Sequence, residues 1–76
     1  MGCKKMIINK SEHERIGLNV LVHRRRRGWT QSELAKRSGL SRSRISDIER
    51  GKESFTLASI IDLGNALDID YKELLK

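Results

Sequence analysis

Capping boxes open three stretches of this chain, each with a Ser, Thr or Asp three residues ahead of a Glu: Ser11 with Glu14, Thr30 with Glu33 and Asp70 with Glu73. In such a box the first side chain accepts an orphan backbone N–H of the opening turn and the glutamate reaches back, so the pattern sets where a helix begins. Ser41 and Thr56 stand as further caps, and Gly28, Gly39 and Gly51 supply stops. Between these signals the apolar residues recur at helical spacing. The first helix carries Ile16, Val20 and Leu21, with Gly17 a local weakness; the second carries Leu34 and Ala35, the third Ile45 and Ile48. The fourth has a broad stripe of Leu57, Ile60, Ile61, Leu63, Ala66 and Leu67, and the last turn or two holds Tyr71, Leu74 and Leu75. Proline is absent, aromatics are limited to Trp29, Phe55 and Tyr71, and strand signals are weak. The expected fold is all-α, five short helices in one compact bundle.

A chain of 76 residues makes one small domain. It buries only about 60% of the surface its unfolded form exposes, so such domains lean on disulfides, a metal or a partner subunit. Cys3 is the single cysteine, and His13 and His23 are the two histidines, so neither an intrachain disulfide nor a zinc-ligand spacing is available. No cofactor or metal is expected, and a homodimer is. No apolar run approaches a membrane span, and Met6-Ile7-Ile8 is too short for a signal-peptide core. Met1-Gly2-Cys3 begins like a lipid anchor, but Met6 stands where the myristoylation pattern needs Ser or Thr. The expectation is a cytoplasmic, nucleoid-associated protein without membrane contact, with Cys3 a reduced thiol. Residues 1–10 read as a flexible arm and residues 11–76 as the domain.

The net charge of +6 is unevenly spread. Residues 1–22 carry +2 and residues 51–76 carry −2, while residues 23–50 hold nine Lys or Arg against Glu33, Asp47 and Glu49, a net +6. A basic centre of this kind is the electrostatic footprint of a polyanion-binding face, with a merely solvated surface as the alternative. The stretch from Gln31 to Arg50 gives it shape. Two short helices joined by Gly39-Leu40-Ser41 form a helix-turn-helix, whose second helix enters the major groove while the first lies across the backbone. That recognition helix runs over about 42–50. Ile45 and Ile48 face inward, leaving Arg42, Ser43, Arg44, Ser46 and Asp47 outside. Arginine pairs bidentately with guanine O6 and N7, and serine donates or accepts. A face built only for solubility favours Glu, Lys, Gln or Ala, so arginines interleaved with serines point to double-stranded DNA.

The runs Gly28-Trp29-Thr30-Gln31-Ser32-Glu33-Leu34-Ala35-Lys36, Gly39-Leu40-Ser41 and Ile45-Ser46-Asp47-Ile48-Glu49-Arg50-Gly51-Lys52 closely resemble the lambda-repressor-like (Cro/repressor, XRE-type) DNA-binding domain, from about Ile16 to Leu75. The resemblance implies a lambda-repressor-like bundle with a central helix-turn-helix. It also implies roles for single residues. Gln31 matches a phosphate contact at a helix N-terminus. Ser41, Arg42 and Ser43 open the recognition helix, the latter two at positions that reach base edges. Asp47 matches a further base-facing position, where an acid accepts only from a cytosine amino group or repels phosphate. Arg44 and Ser46 flank the groove, on bases or backbone, and Lys52 and Ser54 approach phosphate again. Arg24 matches an arginine paired with the acid at Glu49, a structural ion pair, which leaves Arg25, Arg26 and Arg27 solvated or near phosphate. Two residues depart from the family's usual types: His23, read as partly buried rather than a ligand, and Trp29, read as core rather than a base-stacking group.

Leu63, Leu67, Tyr71, Leu74 and Leu75 offer more apolar surface than so small a core needs and are assigned to a two-fold interface, the alternative being that they seal the monomer core. The dimer would set two recognition helices on a pseudo-palindromic operator. Three transcriptional regulators fit a bare domain of this type: a phage or prophage repressor, a restriction–modification controller, which Arg50-Gly51-Lys52 and Phe55-Thr56-Leu57 resemble, and a DNA-binding antitoxin, for which a toxin protein is a partner. From another class, a protein-interaction module on the same scaffold remains open. An enzyme is not indicated, since no paired carboxylates, Ser/His/Asp set, phosphate loop or metal cluster stands out.

Overall fold

A computed structural model of the chain describes residues 10–52 and 56–76. Cys3, Ser54, Phe55 and most of the expected arm lie outside those residues. Among the described residues the elements are α1 (Lys10–Arg26), α2 (Gln31–Ser38), α3 (Arg42–Glu49), α4 (Leu57–Leu67) and a 3₁₀ turn (Tyr71–Leu75), with no strand.

Local chemistry fixes most of the boundaries. Thr30 Oγ1 accepts the Glu33 N–H at 3.1 Å, Ser41 Oγ the Arg44 N–H at 3.1 Å, and Thr56 Oγ1 the Ser59 N–H at 3.2 Å. Each relieves one of the unpaired donors of a first turn. Gly39 ends α2 at φ 81°, in the left-handed region, and donates its N–H to the Ala35 carbonyl at 2.9 Å. A side chain there would be strained, so glycine is what allows the chain to swing directly into α3.

Two expected elements differ. α1 begins at Lys10, which places Ser11 inside its first turn rather than ahead of it. No glycine or proline stands between residues 3 and 16 to fix the start. The fifth helix is a five-residue 3₁₀ turn, so the bundle has four α-helices. The reason is in its hydrogen bonds: the Asp70 carboxylate accepts the Lys72 N–H at 3.0 Å and the Asp70 carbonyl accepts the Glu73 N–H at 2.8 Å, the i to i+3 spacing of a 3₁₀ helix.

All five elements supply the core. Ile16 and Val20 of α1, Leu34 and Ala35 of α2, Ile45 and Ile48 of α3, Ile60, Leu63 and Leu67 of α4, and Leu74 form one cluster. Trp29, Leu40, Ala66, Ile69, Tyr71 and Leu75 pack around it. Leu63, Leu67 and Leu74 are 0% exposed within the single chain. A side chain with no surface left has nothing to offer a partner, so these three belong to the core and not to a two-fold interface. Tyr71 and Leu75 keep some surface.

α1 and α3 meet at Gly17. A Cβ there would run into the Ile48 carbonyl oxygen and lie 3.1 Å from that of Glu49. The glycine read as a weakness in α1 is thus the point that lets α3 seat against it. Asn19, further along α1, donates from Nδ2 to the Leu74 carbonyl at 3.0 Å and ties down the 3₁₀ turn.

Candidate nucleic-acid interface

At roughly 100° per residue, the eight residues of α3 divide into three sets. Ile45 and Ile48 are fully buried and hold the helix to the core. Arg42, Ser43, Ser46 and Asp47 share the opposite arc, the first two exposed and the second two half-buried. Arg44 and Glu49 fall at the two edges between these faces.

The edge residues are occupied within the protein. Arg44 Nη2 lies 3.5 Å from Ser59 Oγ at the start of α4, and its Nε is buried with no partner among the described residues. Arg44 therefore leans toward α4 instead of lying on the open arc with Arg42. Ser59 is itself buried and sits 3.5 Å from the capping hydroxyl of Thr56.

At the other edge Glu49 is held by two helices. Arg24 Nε donates to Glu49 Oε2 at 2.6 Å and Arg24 Nη2 to Oε1 at 3.0 Å, a bidentate pair. The side chains are 9% and 4% exposed, so both charges are largely desolvated and each depends on the other. Arg24 Nη1 also donates to the Trp29 carbonyl at 2.7 Å, closing the turn between α1 and α2.

Gln31, the first residue of α2, donates from Nε2 to Glu49 Oε1 at 3.0 Å. Its amide is thereby fixed by α3 at the point where the α2 N-terminus presents unpaired N–H groups. Lys52 is exposed just beyond α3, and its N–H donates to the Asp47 carbonyl at 2.9 Å. The open arc thus runs along α3, with Gln31 and Lys52 both at its C-terminal end, a polar and cationic surface that suits a polyanion whose base edges are to be read.

Four contacts carry no sequence signal of their own. The Gln31–Glu49 bond joins residues 18 apart, and the Arg44–Ser59 contact joins residues 15 apart. Trp29 is half-buried, with the Arg37 guanidinium 4.3 Å from its ring centroid and that of Arg27 at 5.4 Å. Its indole seals one side of α2 and carries two cations on its faces. His23 is half-buried on α1. Among the described residues no cluster of His, Cys, Asp and Glu is placed to hold a metal, and no helix is long and apolar enough to cross a membrane.

The chain is similar to known proteins in sequence and in fold. A helix-turn-helix family model matches residues 23–74. The chain is 37% identical over 60 residues to an uncharacterized helix-turn-helix-type transcriptional regulator, y4dJ, of Sinorhizobium fredii, covering 79% of this chain and 78% of that protein. It is 37% identical over 46 residues to the antitoxin HipB of Escherichia coli, covering 60% of this chain and 52% of the antitoxin. Among solved structures, the restriction–modification controller protein C.AhdI of Aeromonas hydrophila superposes with a TM-score of 0.82 at 36% identity, over 84% of this chain and 97% of the controller.

Proposed function

Because the chain belongs to the helix-turn-helix family of transcriptional regulators, of the XRE type, we propose that it binds a pseudo-palindromic operator as a homodimer, with α3 of each protomer in the major groove. The observation that carries the reading is the open arc of α3, where Arg42, Ser43, Ser46 and Asp47 stand opposite the buried Ile45 and Ile48. Arg42 takes a guanine edge bidentately, and Ser43 and Ser46 supply adaptable donors and acceptors beside it. Asp47 accepts from a cytosine amino group and repels a misplaced phosphate. Gln31 and Lys52 hold the phosphates on either side and set the register of the helix, while Ser41 keeps the first turn of α3 ordered. Arg44 supports α3 against α4 and reaches the backbone from that edge.

The remaining surface of Tyr71 and Leu75 forms the centre of the two-fold contact. It sets the recognition helices roughly 34 Å apart, one turn of the duplex. Such a protein works in the cytoplasm, on the nucleoid. The likeness to C.AhdI favours a controller of a restriction–modification system, or a phage-type repressor of the same build. The likeness to HipB favours a second reading, an operator-binding antitoxin that also holds a toxin protein. In both the duplex chemistry is the same.

Selection of bound duplexes from a random pool, followed by affinity measured over a salt series, tests the proposal. Two half-sites about 10 base pairs apart, and an affinity that falls steeply and linearly in log salt, are the expected results. Equal affinity for selected and bulk duplex would leave a protein-interaction module as the better account. Co-expression with the product of a neighbouring reading frame separates controller from antitoxin, since an antitoxin relieves that product's toxicity.

A further inference from the structure

The outer face of α1 is not used by the fold or by the proposed duplex contact. Leu18 is 54% exposed and Val22, one turn on, is 36% exposed. By helical geometry both point away from the side that carries Ile16, Gly17, Val20 and Arg24 into the core. Single exposed apolar residues are ordinary on a protein surface, but here two are stacked at i and i+4 in the middle of a solvent face. The surround is equally distinctive. Arg15, Arg25 and Arg26 are exposed on the same face, and none has a carboxylate partner among the described residues. Glu14, next to Arg15 in the sequence, lies against Gly51: its Cγ is 2.6 Å from where a Cβ of that glycine would stand.

We propose that this face is a docking surface for another protein, whose occupant is an acidic amphipathic helix with an apolar anchor bracketed by Asp or Glu. The apolar pair receives the anchor, and the three guanidinium groups receive the carboxylates, which chooses an acidic partner over a basic one. A duplex fits less well, because phosphates gain nothing from Leu18 and Val22. The face also lies away from α3, so the partner and an operator are held together rather than in competition. Regulation by a protein ligand thereby becomes compatible with bound DNA.

Three synthetic helical peptides probe the surface on the full chain: one with leucines at i and i+4 bracketed by glutamates, one with lysines replacing those glutamates, and one with serines replacing those leucines. Binding is followed by fluorescence anisotropy, and the binding site by amide shifts in NMR spectra. The first peptide is expected to bind and to shift amides of residues 14–26, with both control peptides at least about tenfold weaker. Leu18→Ser/Val22→Ser, at two positions outside the core cluster, is expected to weaken the first peptide by at least about tenfold while leaving duplex affinity and sedimentation unchanged. Equal binding of the serine peptide, or shifts centred on α3, would overturn the proposal. So would weaker duplex binding by Leu18→Ser/Val22→Ser, which assigns the face to nucleic acid. A change from dimer to monomer in that variant assigns it to a second copy and overturns the proposal as well.

Discussion

Replacing Arg24 with alanine removes three donors at once: two to the Glu49 carboxylate, at 2.6 and 3.0 Å, and one to the Trp29 carbonyl at 2.7 Å. Glu49, whose side chain is 4% exposed in the intact protein, then keeps the Gln31 amide as its remaining donor. Breaking a buried pair by deleting one partner costs about 3–5 kcal/mol, most of it the uncompensated charge. A domain of this size loses about 4–8 °C of melting temperature per kcal/mol, so Arg24→Ala should melt at least about 12 °C below the parent. Thermal denaturation followed by circular dichroism measures the drop directly. A double variant, Arg24→Met/Glu49→Leu, separates the pair's own contribution from the penalty of orphaning one member. Apolar replacement of a whole buried pair is often neutral, and the double variant should recover most of the lost stability. Equal melting of Arg24→Ala and the parent would refute the reasoning. So would a double variant no better than the single, because the cost would then not arise from an unpaired charge.

Gly17→Ala gains up to about 1 kcal/mol of helix propensity yet places a Cβ against the Ile48 carbonyl; a net loss of about 1–3 kcal/mol by urea denaturation is expected, and a gain would mean that α1 and α3 are not in contact there. Arg42→Ala should weaken the selected operator by about 1–3 kcal/mol at unchanged melting temperature, whereas Lys52→Ala should weaken all duplexes alike and reduce the salt slope by about one. Tyr71→Asp/Leu75→Asp should lower the dimer fraction in sedimentation velocity; an unchanged fraction would move the two-fold contact elsewhere.

The parts of the fold that were legible in the sequence are those written locally. Thr30, Ser41 and Thr56 each cap a helix within three residues of themselves, and Gly39 turns the chain where it stands. The alternation of Ile45 and Ile48 with polar neighbours likewise assigns the faces of α3 without knowledge of its surroundings. Contacts between distant residues were not legible in this way. The Arg24–Glu49 pair spans 25 residues and entered through a family resemblance, while the Gln31–Glu49 bond had no signal at all. Arg44 reads like Arg42 in the sequence because both are arginines in one turn. Only the position of Ser59 shows that one leans toward α4 and the other does not. Leu63, Leu67 and Leu74 fit either an interface or the core in the sequence for a related reason: an apolar stripe states that it must be covered, but not by which chain. The terminal 3₁₀ turn differs from an α-helix by a single hydrogen-bond step, which a capping box does not specify.

The bond from Gln31 to Glu49 has a mechanical consequence. α2 and α3 are joined by the Gly39 turn at one end and by this bond at the other, and Arg24 anchors the second junction to α1. The three helices form a braced triangle, so the angle between the two arms of the helix-turn-helix has little freedom to change. If the chain reads a duplex as proposed, a helix pair that cannot flex would leave the adjustment to the DNA. Operator choice would then depend on how cheaply a sequence bends or narrows to meet a rigid template, including at base pairs that no side chain touches.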